Sequence, residues 1–371
     1  MVKKILFLTA FRPGKIAGGH NYTRLLLKKL AEKNFQIDLF YCKYKTDPLY
    51  ENSNEDKIRV LKYCKINTLT KLFNALKTPI FHPIFTIRFS WMNLLFLKKK
   101  NRENQYDIIY LDHPQMYLYG FFFKQAKILM AHDVMAQRYE RSSSSITQKI
   151  VQAGEKFFFG LKNSTIFSFS EKDREIIRKK YNIDSRVTNF FIDDQIQHLP
   201  TPKLDNYYIF FGKWDREDNL DGMKWFFSNV YPKLDKSLHI YIIGVALPDY
   251  YQQEIRKYPY VTYLGFVDNP YEMIANAKAM FAPLFSGAGV KVKVVESLAC
   301  GTPVIGNNIS FEGISDEYKN FMISANTPED YVREVSNLSF RIDERISFRE
   351  NFLRQYNSQS VINYLEGIRN V

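Results

Sequence analysis

Phe285-Ser286-Gly287-Ala288-Gly289-Val290-Lys291-Val292-Lys293-Val294-Val295-Glu296-Ser297-Leu298-Ala299-Cys300-Gly301-Thr302-Pro303-Val304-Ile305-Gly306 is the stretch that decides the fold. Just before it, residues 279–284 are apolar and carry Pro283, the pattern of a buried strand near its end. Gly287 and Gly289 let the backbone turn sharply and come close to a ligand. A helix is predicted from near Val290, and the free N–H groups and dipole at its start favour an anion. Lys291 and Lys293 add positive charge there, and Glu296 falls three residues after Lys293 on the same helical face. Gly301 suits the helix stop, and 302–305 start the next buried strand. Ser286, Gly287, Ala288 and Gly289, with the two lysines, suit a diphosphate. Glu296 suits a ribose, because a carboxylate accepts hydrogen bonds from two vicinal hydroxyls. The same residues also fit an ordinary strand–helix turn with a surface Lys293–Glu296 ion pair.

Outward from this stretch, strand and helix patterns alternate over most of the chain. Strands are predicted at 5–9, 36–41, 58–61, 108–111, 127–130 and 165–169. A loop at 11–19 holds Pro13, Gly14, Gly18 and Gly19, and a leucine-rich helix follows over 20–32. Ser170 caps a later helix that has Glu171 and Asp173 in its first turn. A second series, at 208–211, 240–243, 261–264, 279–283 and 303–306, begins after a polar linker at 196–206. Such alternation predicts an α/β chain of two doubly wound parallel sheets, covered by helices on both faces. Ligands of open α/β sheets bind beyond the carboxyl ends of the strands, which places a cleft there. The domains are expected at 1–195 and 206–355. Helices at 344–356 and 358–369 have no strand after them.

Composition limits the partners. The chain has 371 residues, 46% of them apolar, enough for two domains with sizeable cores. Lys plus Arg number 52 against 39 Asp plus Glu, a net charge of +13. That excess favours nucleotide phosphates, nucleic acid or an acidic membrane surface. Cys42, Cys64 and Cys300 form no Cys-x-x-Cys pair and read as buried thiols of a reducing cytoplasm. The opening Met1-Val2-Lys3-Lys4 leads directly into a strand, so no signal peptide is expected. No apolar run approaches the roughly 20 residues that span a bilayer. No Asp-x-Asp triplet or His/Cys ligand cluster is evident, so no metal site is assigned. The stacked aromatics of single-strand nucleic-acid binders form no recognisable module.

The 285–306 stretch closely resembles the donor-site signature of retaining, nucleotide-sugar-dependent glycosyltransferases of the GT-B fold, family four. That signature reads Gly-x-Gly-x-(Lys/Arg)-x-Lys-x-x-Glu-(Ala/Ser)-(Leu/Met)-Ala-x-Gly-x-Pro-Val-(Val/Ile), and the match is nearly complete. The resemblance extends to 210–226, which looks like the start of the family's second domain. Lys213 stands there in the place of a base that grips the donor phosphate, and Asn219 lies near the place of a second base. Gly18 and Gly19 match the family's first glycine loop. Ala131-His132-Asp133-Val134 resembles its Thr-Val-His-Asp element, whose histidine lies close to the transferred sugar. Family members often carry a further acid eight residues before the glutamate; counting back from Glu296 gives Ala288 instead. Loop amides then stand in for the missing side chain. Each of these residues also has a plainer reading, as a turn glycine, a solvated lysine or a structural histidine. His113, at another strand end, reads mainly as structural.

The resemblance implies two Rossmann-like domains facing a cleft, with a final helix at 356–371 crossing back to the first. The 1–195 domain would take the acceptor and 206–355 the nucleotide-sugar donor. The expected reaction moves a sugar from a nucleoside-diphosphate sugar to a hydroxyl acceptor with retention, with no cofactor beyond that substrate. A bacterial surface glycan, free or lipid-borne, is the expected acceptor. His132, Lys213 and Lys293 are the catalytic candidates. Gly18, Gly19, Ser286, Gly287, Ala288, Gly289, Lys291 and Glu296 are the donor-binding ones. A nucleotide-sugar epimerase of the same fold and a non-catalytic basic nucleic-acid binder are the rivals, with no nucleic acid expected on the main reading. The segment 79–102 is rich in Phe, Trp and Leu and ends in Lys98-Lys99-Lys100-Asn101-Arg102. It reads either as an amphipathic basic helix on an anionic membrane, or as a core helix with a charged end. The expected location is the cytoplasm, at the inner face of the cytoplasmic membrane if the first alternative holds.

Overall fold

The computed structural model describes residues 3–15, 18–51, 56–141, 143–356 and 360–368. The chain divides into two compact units. One comprises Met1–Lys15, Gly19–Asn189 and Gln359–Val371; the other comprises Ile16–Gly18 and Phe190–Ser358.

The first unit is built on strands β1 (Lys4–Thr9), β2 (Gln36–Tyr44), β3 (Ile58–Ile66), β4 (Ile108–Asp112), β5 (Ala126–Ala131), β6 (Ser164–Ser168) and β7 (Arg186–Val187). They form one sheet in the order β3-β2-β1-β4-β5-β6-β7, and every pairing is parallel. β1 and β4 are unbroken apolar runs because helices cover both faces of a parallel sheet. The chain lays down β1, β2 and β3 in one direction, then returns to place β4 beside β1. In that register Phe7 lies opposite Tyr110, their rings stacked at 4.4 Å, and Thr9 lies opposite Asp112. The last helix, Ser360–Gly367, belongs to this unit, as expected of the crossing-back segment. Tyr364 Oη meets Thr165 Oγ1 at 2.6 Å, Ser360 donates to the Val187 carbonyl, and Lys3 Nζ donates to the Leu365 carbonyl.

The second unit repeats the plan with β8 (Tyr207–Phe211), β9 (His239–Ile243), β10 (Val261–Gly265), β11 (Met280–Ala282), β12 (Val304–Gly306) and β13 (Met322–Ser324). The order is β10-β9-β8-β11-β12-β13, again parallel throughout, with the reversal between β8 and β11. The helix Val292–Ala299 starts two residues later than the sequence suggests, with Lys291 at its N-cap. Gly301 ends it at φ +73°, a conformation that favours glycine.

Two sequence expectations change. The stretch 79–102 is not one helix: Pro83–Thr86 and Trp91–Asn104 are separate, and Phe85, Phe89, Leu94 and Leu97 are buried in the first unit's core. The core-helix alternative therefore describes most of it. Ahead of it stands the helix Thr68–Lys77, which the sequence reading passes over. Among the described residues no helix is long and apolar enough to cross a membrane.

In the second unit one buried cation ties the helices together. Arg345, 1% exposed, lies on the helix Ile342–Tyr356. It donates to the carbonyls of Gly301 at 2.6 Å, Ala277 at 2.8 Å and Ala275 at 2.9 Å, and to Thr302 Oγ1 at 2.6 Å. These carbonyls close the helices Tyr271–Asn276 and Val292–Ala299, whose carboxyl ends carry partial negative charge. Truncation leaves several buried acceptors unpaired, each costing roughly 1–3 kcal/mol. Arg345→Ala should lower stability by about 3 kcal/mol or more, read as an earlier urea midpoint in the fluorescence of Trp214 and Trp225. An unchanged midpoint would show that the guanidinium does not hold this unit.

Candidate functional site

In each unit the loops that leave the two central strands meet at the point where the strand order reverses. In the first unit they gather around Asp112, the last residue of β4 and fully buried. One of its oxygens, Oδ1, meets His132 Nε2 at 2.6 Å; the other accepts from Thr9 Oγ1 at 2.8 Å and Thr23 Oγ1 at 2.7 Å. Thr9 ends β1, Thr23 lies on the helix Gly18–Glu32, and His132 follows β5. One carboxylate thus fastens four elements. Burial opposes its charge, but the neighbouring His113 and His132 and the hydrogen bonds outweigh burial and hold the carboxyl below the ordinary carboxylate range. An ionised Asp112 requires the hydrogen on His132 Nε2, which fixes the tautomer and ring orientation.

His113 is stacked on His132 at 3.6 Å and held at φ +76°, a region that side chains avoid at a cost of roughly 1–3 kcal/mol. Its Nε2 is buried without a hydrogen-bond partner, 3.6 Å from Asp112 Oδ2. Burial, then repulsion by His132, pushes its pKa well down against the pull of Asp112, so this ring is neutral near pH 7. Gly19 has a plain steric reason. A Cβ there would stand 3.2 Å from His113 Cε1 and 3.3 Å from His132 Nδ1. Gly18 and Gly19 are the first residues of the helix Gly18–Glu32 rather than a separate loop.

The sequence shows no metal-ligand cluster, but the fold assembles one: Asp112, His113 and His132 bring ligand atoms within 4.8 Å of one another. Their spacing hides it because they come from two different strand ends. The 2.6 Å contact between His132 and Asp112 is a shared hydrogen, so a cation there would have to displace that proton.

In the second unit the loop after β8 meets the loop after β11. Gly222, on the helix Glu217–Asn229, permits this: a Cβ there would lie 1.8 Å from the Pro283 carbonyl. Asn219, on the same helix, bridges the loops. Its Nδ2 donates to the Lys213 carbonyl at 2.9 Å, and its Oδ1 accepts from Lys293 Nζ at 2.8 Å. Lys213 pairs with Asp215 at 2.9 Å, and Arg216 with Asp218 at 3.0 Å. Gly287 and Gly289 take φ of +101° and +67°, so the turn over 286–289 needs glycine at both places. Lys291 turns inward: its Nζ donates to the Gly289 carbonyl at 2.6 Å and lies 3.7 Å from Glu312 Oε2. Glu296 accepts from Tyr271 Oη at 3.2 Å. Burial pushes the Lys293 ammonium down to about 8; Asp218 opposes this, while Arg216 and Lys291 add repulsion.

The fold therefore groups Lys213, Lys293 and the glycine loop, holds Glu296 one helical turn on, and sets Lys291 beneath the loop. In the first unit it groups His132 with Gly19. Asp112, Thr9, Thr23, Arg216 and Tyr271 are additions. Asp112 and Thr9 could have been suspected as polar residues ending apolar strands, and Arg216 as a base in the loop of Lys213. Thr23 and Tyr271 carry no such signal.

Residues 205–339 match the model of a family described as Glycosyl transferases group 1. Among solved structures, the chain is similar to sucrose-phosphate synthase from Thermosynechococcus elongatus, at 15% identity, covering 98% of this chain and 97% of that one, with a TM-score of 0.73. It is similar to HepE from Anabaena in complex with UDP, at 12% identity over 98% of this chain and 100% of that one, TM-score 0.69. It is also similar to WaaG, a glycosyltransferase involved in lipopolysaccharide biosynthesis, at 12% identity over 98% and 97%, TM-score 0.63. A search of curated protein sequences finds no match. The fold is GT-B, and residues 205–339 carry the likeness to the group 1 glycosyl transferases.

A lysine near pKa 8 gives a signed prediction. Below that pH the Lys293 ammonium is charged and attracts an anion; above it the charge is lost unless the anion is already bound. Nucleoside diphosphate affinity should fall as the pH rises from 7.5 through 9, and Lys293→Arg should flatten the fall. Calorimetry across that range measures it, and an affinity independent of pH in the unaltered protein would contradict the assignment.

Proposed function

We propose that the protein moves a sugar from a nucleoside-diphosphate sugar to a hydroxyl of a bacterial surface glycan, with retention at the anomeric carbon and without a metal. The carrying observation is that Lys213, Arg216 and Lys293 stand beside a glycine-bent loop at a sheet's reversal point, with Asn219 tying the Lys293 ammonium to the Lys213 backbone carbonyl. In the departing diphosphate, negative charge develops where these cations and the loop amides of Ser286, Gly287, Ala288 and Gly289 stand. Donors fixed before the charge appears need no reorganisation when it does. Lys213 and Lys293 act on the diphosphate, with Lys291 bracing the loop through Gly289. Glu296 takes the ribose hydroxyls, with Tyr271 orienting it.

His132 Nδ1 accepts from a hydroxyl of the transferred sugar, because Asp112 holds the ring hydrogen on Nε2. Gly19 keeps the approach to that ring open. The similarity to WaaG, whose function lies in lipopolysaccharide biosynthesis, supports a surface glycan as acceptor, and the UDP complex of HepE supports a nucleoside-diphosphate donor. A lipid-linked acceptor places the enzyme in the cytoplasm, at the inner face of the membrane.

The test separates ribose from phosphate. Glu296→Gln should weaken nucleoside diphosphate binding about tenfold, the scale of one charged hydrogen bond. It should leave the affinity for inorganic pyrophosphate unchanged. Titration calorimetry of both ligands reads this, and equal loss for the two, or none for either, would remove Glu296 from the ribose.

A further inference from the structure

One face of the first unit is built unlike the rest of its surface. The helix Thr68–Lys77 buries none of its residues, although a capping box between Asn67 and Thr70 secures its start. Leu69, Leu72, Phe73 and Leu76 fall at i, i+3, i+4 and i+7 and so form one apolar stripe. All four are exposed, Leu69 by 76% and Leu76 by 68%. A full apolar stripe turned to water marks an interaction site, unlike scattered single residues.

The stripe has neighbours of the same kind. Ile80 follows it, 85% exposed. A run of ring contacts leads on, from Phe81 to Phe157 at 5.1 Å, Phe157 to Phe121 at 5.8 Å and Phe121 to Phe122 at 5.2 Å, and then to Trp91. Phe157, Phe121 and Trp91 are exposed. On the helix Ser145–Phe159, Ile146 and Ile150 precede Phe157 along the same exposed side.

Charge selects the occupant. Residues 57–102 contain eleven Lys or Arg and no Asp or Glu. Glu155, the only acid of the helix Ser145–Phe159, is buried, where it accepts from the Met135 and Ala136 amides and from Tyr181. Lys77 sits over the Phe73 ring at 4.0 Å and Lys98 over the Phe122 ring at 5.8 Å, their ammonium groups beside apolar surface. A second copy of this face would set bases mainly against bases, since Glu103 at its edge is already paired with Lys99 and Lys100. Nucleic acid would satisfy the lysines and leave the leucines in water. An anionic bilayer answers both, with hydrocarbon for the stripe and headgroups for the cations.

We propose that the Thr68–Lys77 helix, continued by Ile80, Trp91 and the outer side of Ser145–Phe159, docks the enzyme on an anionic membrane. This centres the contact on the helix ahead of the 79–102 segment, which adds Ile80 and Trp91 while Phe85, Phe89, Leu94 and Leu97 serve the core. It deepens the reading of a lipid-linked acceptor, but docking needs neither donor nor turnover. The test is co-sedimentation of the full chain with phosphatidylglycerol-containing vesicles and with pure phosphatidylcholine vesicles, without donor. The protein should pellet with the first and much less with the second. The pair Leu72→Ser and Phe73→Ser, and separately the pair Lys71→Glu and Lys77→Glu, should each lower partitioning at least about tenfold. Thermal melts and donor turnover of both pairs should match the unaltered protein. Equal partitioning by the variants, or no pelleting with anionic vesicles, would overturn the docking face while leaving the transferase reading intact. Sedimentation velocity showing a dimer that the Leu72→Ser and Phe73→Ser pair dissolves would assign the face to a second copy instead. Normal docking by a protein that transfers no sugar would count against the transferase reading alone.

Discussion

All the strand pairings within both sheets run in one direction, and the placement of every candidate residue depends on that constraint. Parallel strands need a long crossover between them, so each strand ends in a loop at the same edge of the sheet. Where the strand order reverses, the two central strands send their loops to opposite faces, and a gap is left between them. Thr9 and Asp112 end the central strands of the first sheet. The loops that carry Lys213 and Gly287 leave the central strands of the second.

The two sites solve opposite electrostatic problems. Around Asp112 a buried negative charge is fully satisfied, by two hydroxyls and one imidazole, and it keeps the His132 hydrogen on Nε2 so that Nδ1 is a fixed acceptor. Such an arrangement orders a ring in advance. Around Lys293 like charges are crowded, and burial holds the ammonium down to about 8. That arrangement is unfavourable until an anion arrives. The strain of His113 at φ +76° belongs with the first kind, since its ring packs against His132 and Phe11 and its carbonyl accepts from the Met116 amide.

Much of the fold was legible because strands buried on both faces appear as unbroken apolar runs. β1, β4, β5, β8 and β9 stand out that way, whereas β7 and β13, with two and three residues, are too short to show a pattern. The donor loop was legible because its parts are contiguous from Phe285 to Gly306. The Asp112 cluster was not, because Thr9, Thr23, Asp112 and His132 are distant in sequence and meet only through strand order. Lys291 and Lys293 look alike in sequence. The structure separates them, since Lys291 sits at the N-cap and turns into the loop while Lys293 faces Asn219. The helix Thr68–Lys77 escaped notice because its apolar spacing is that of a core helix, and only its exposure sets it apart.

Transfer with retention is the central claim, and proton NMR of the anomeric region during turnover tests it most directly. The protein is incubated with nucleoside-diphosphate sugars, singly, together with a hydroxyl acceptor. A new anomeric signal on the acceptor, with the same configuration as the donor and with release of nucleoside diphosphate, is the predicted result. A product of inverted configuration, or an epimerised donor with no sugar transferred, would contradict it.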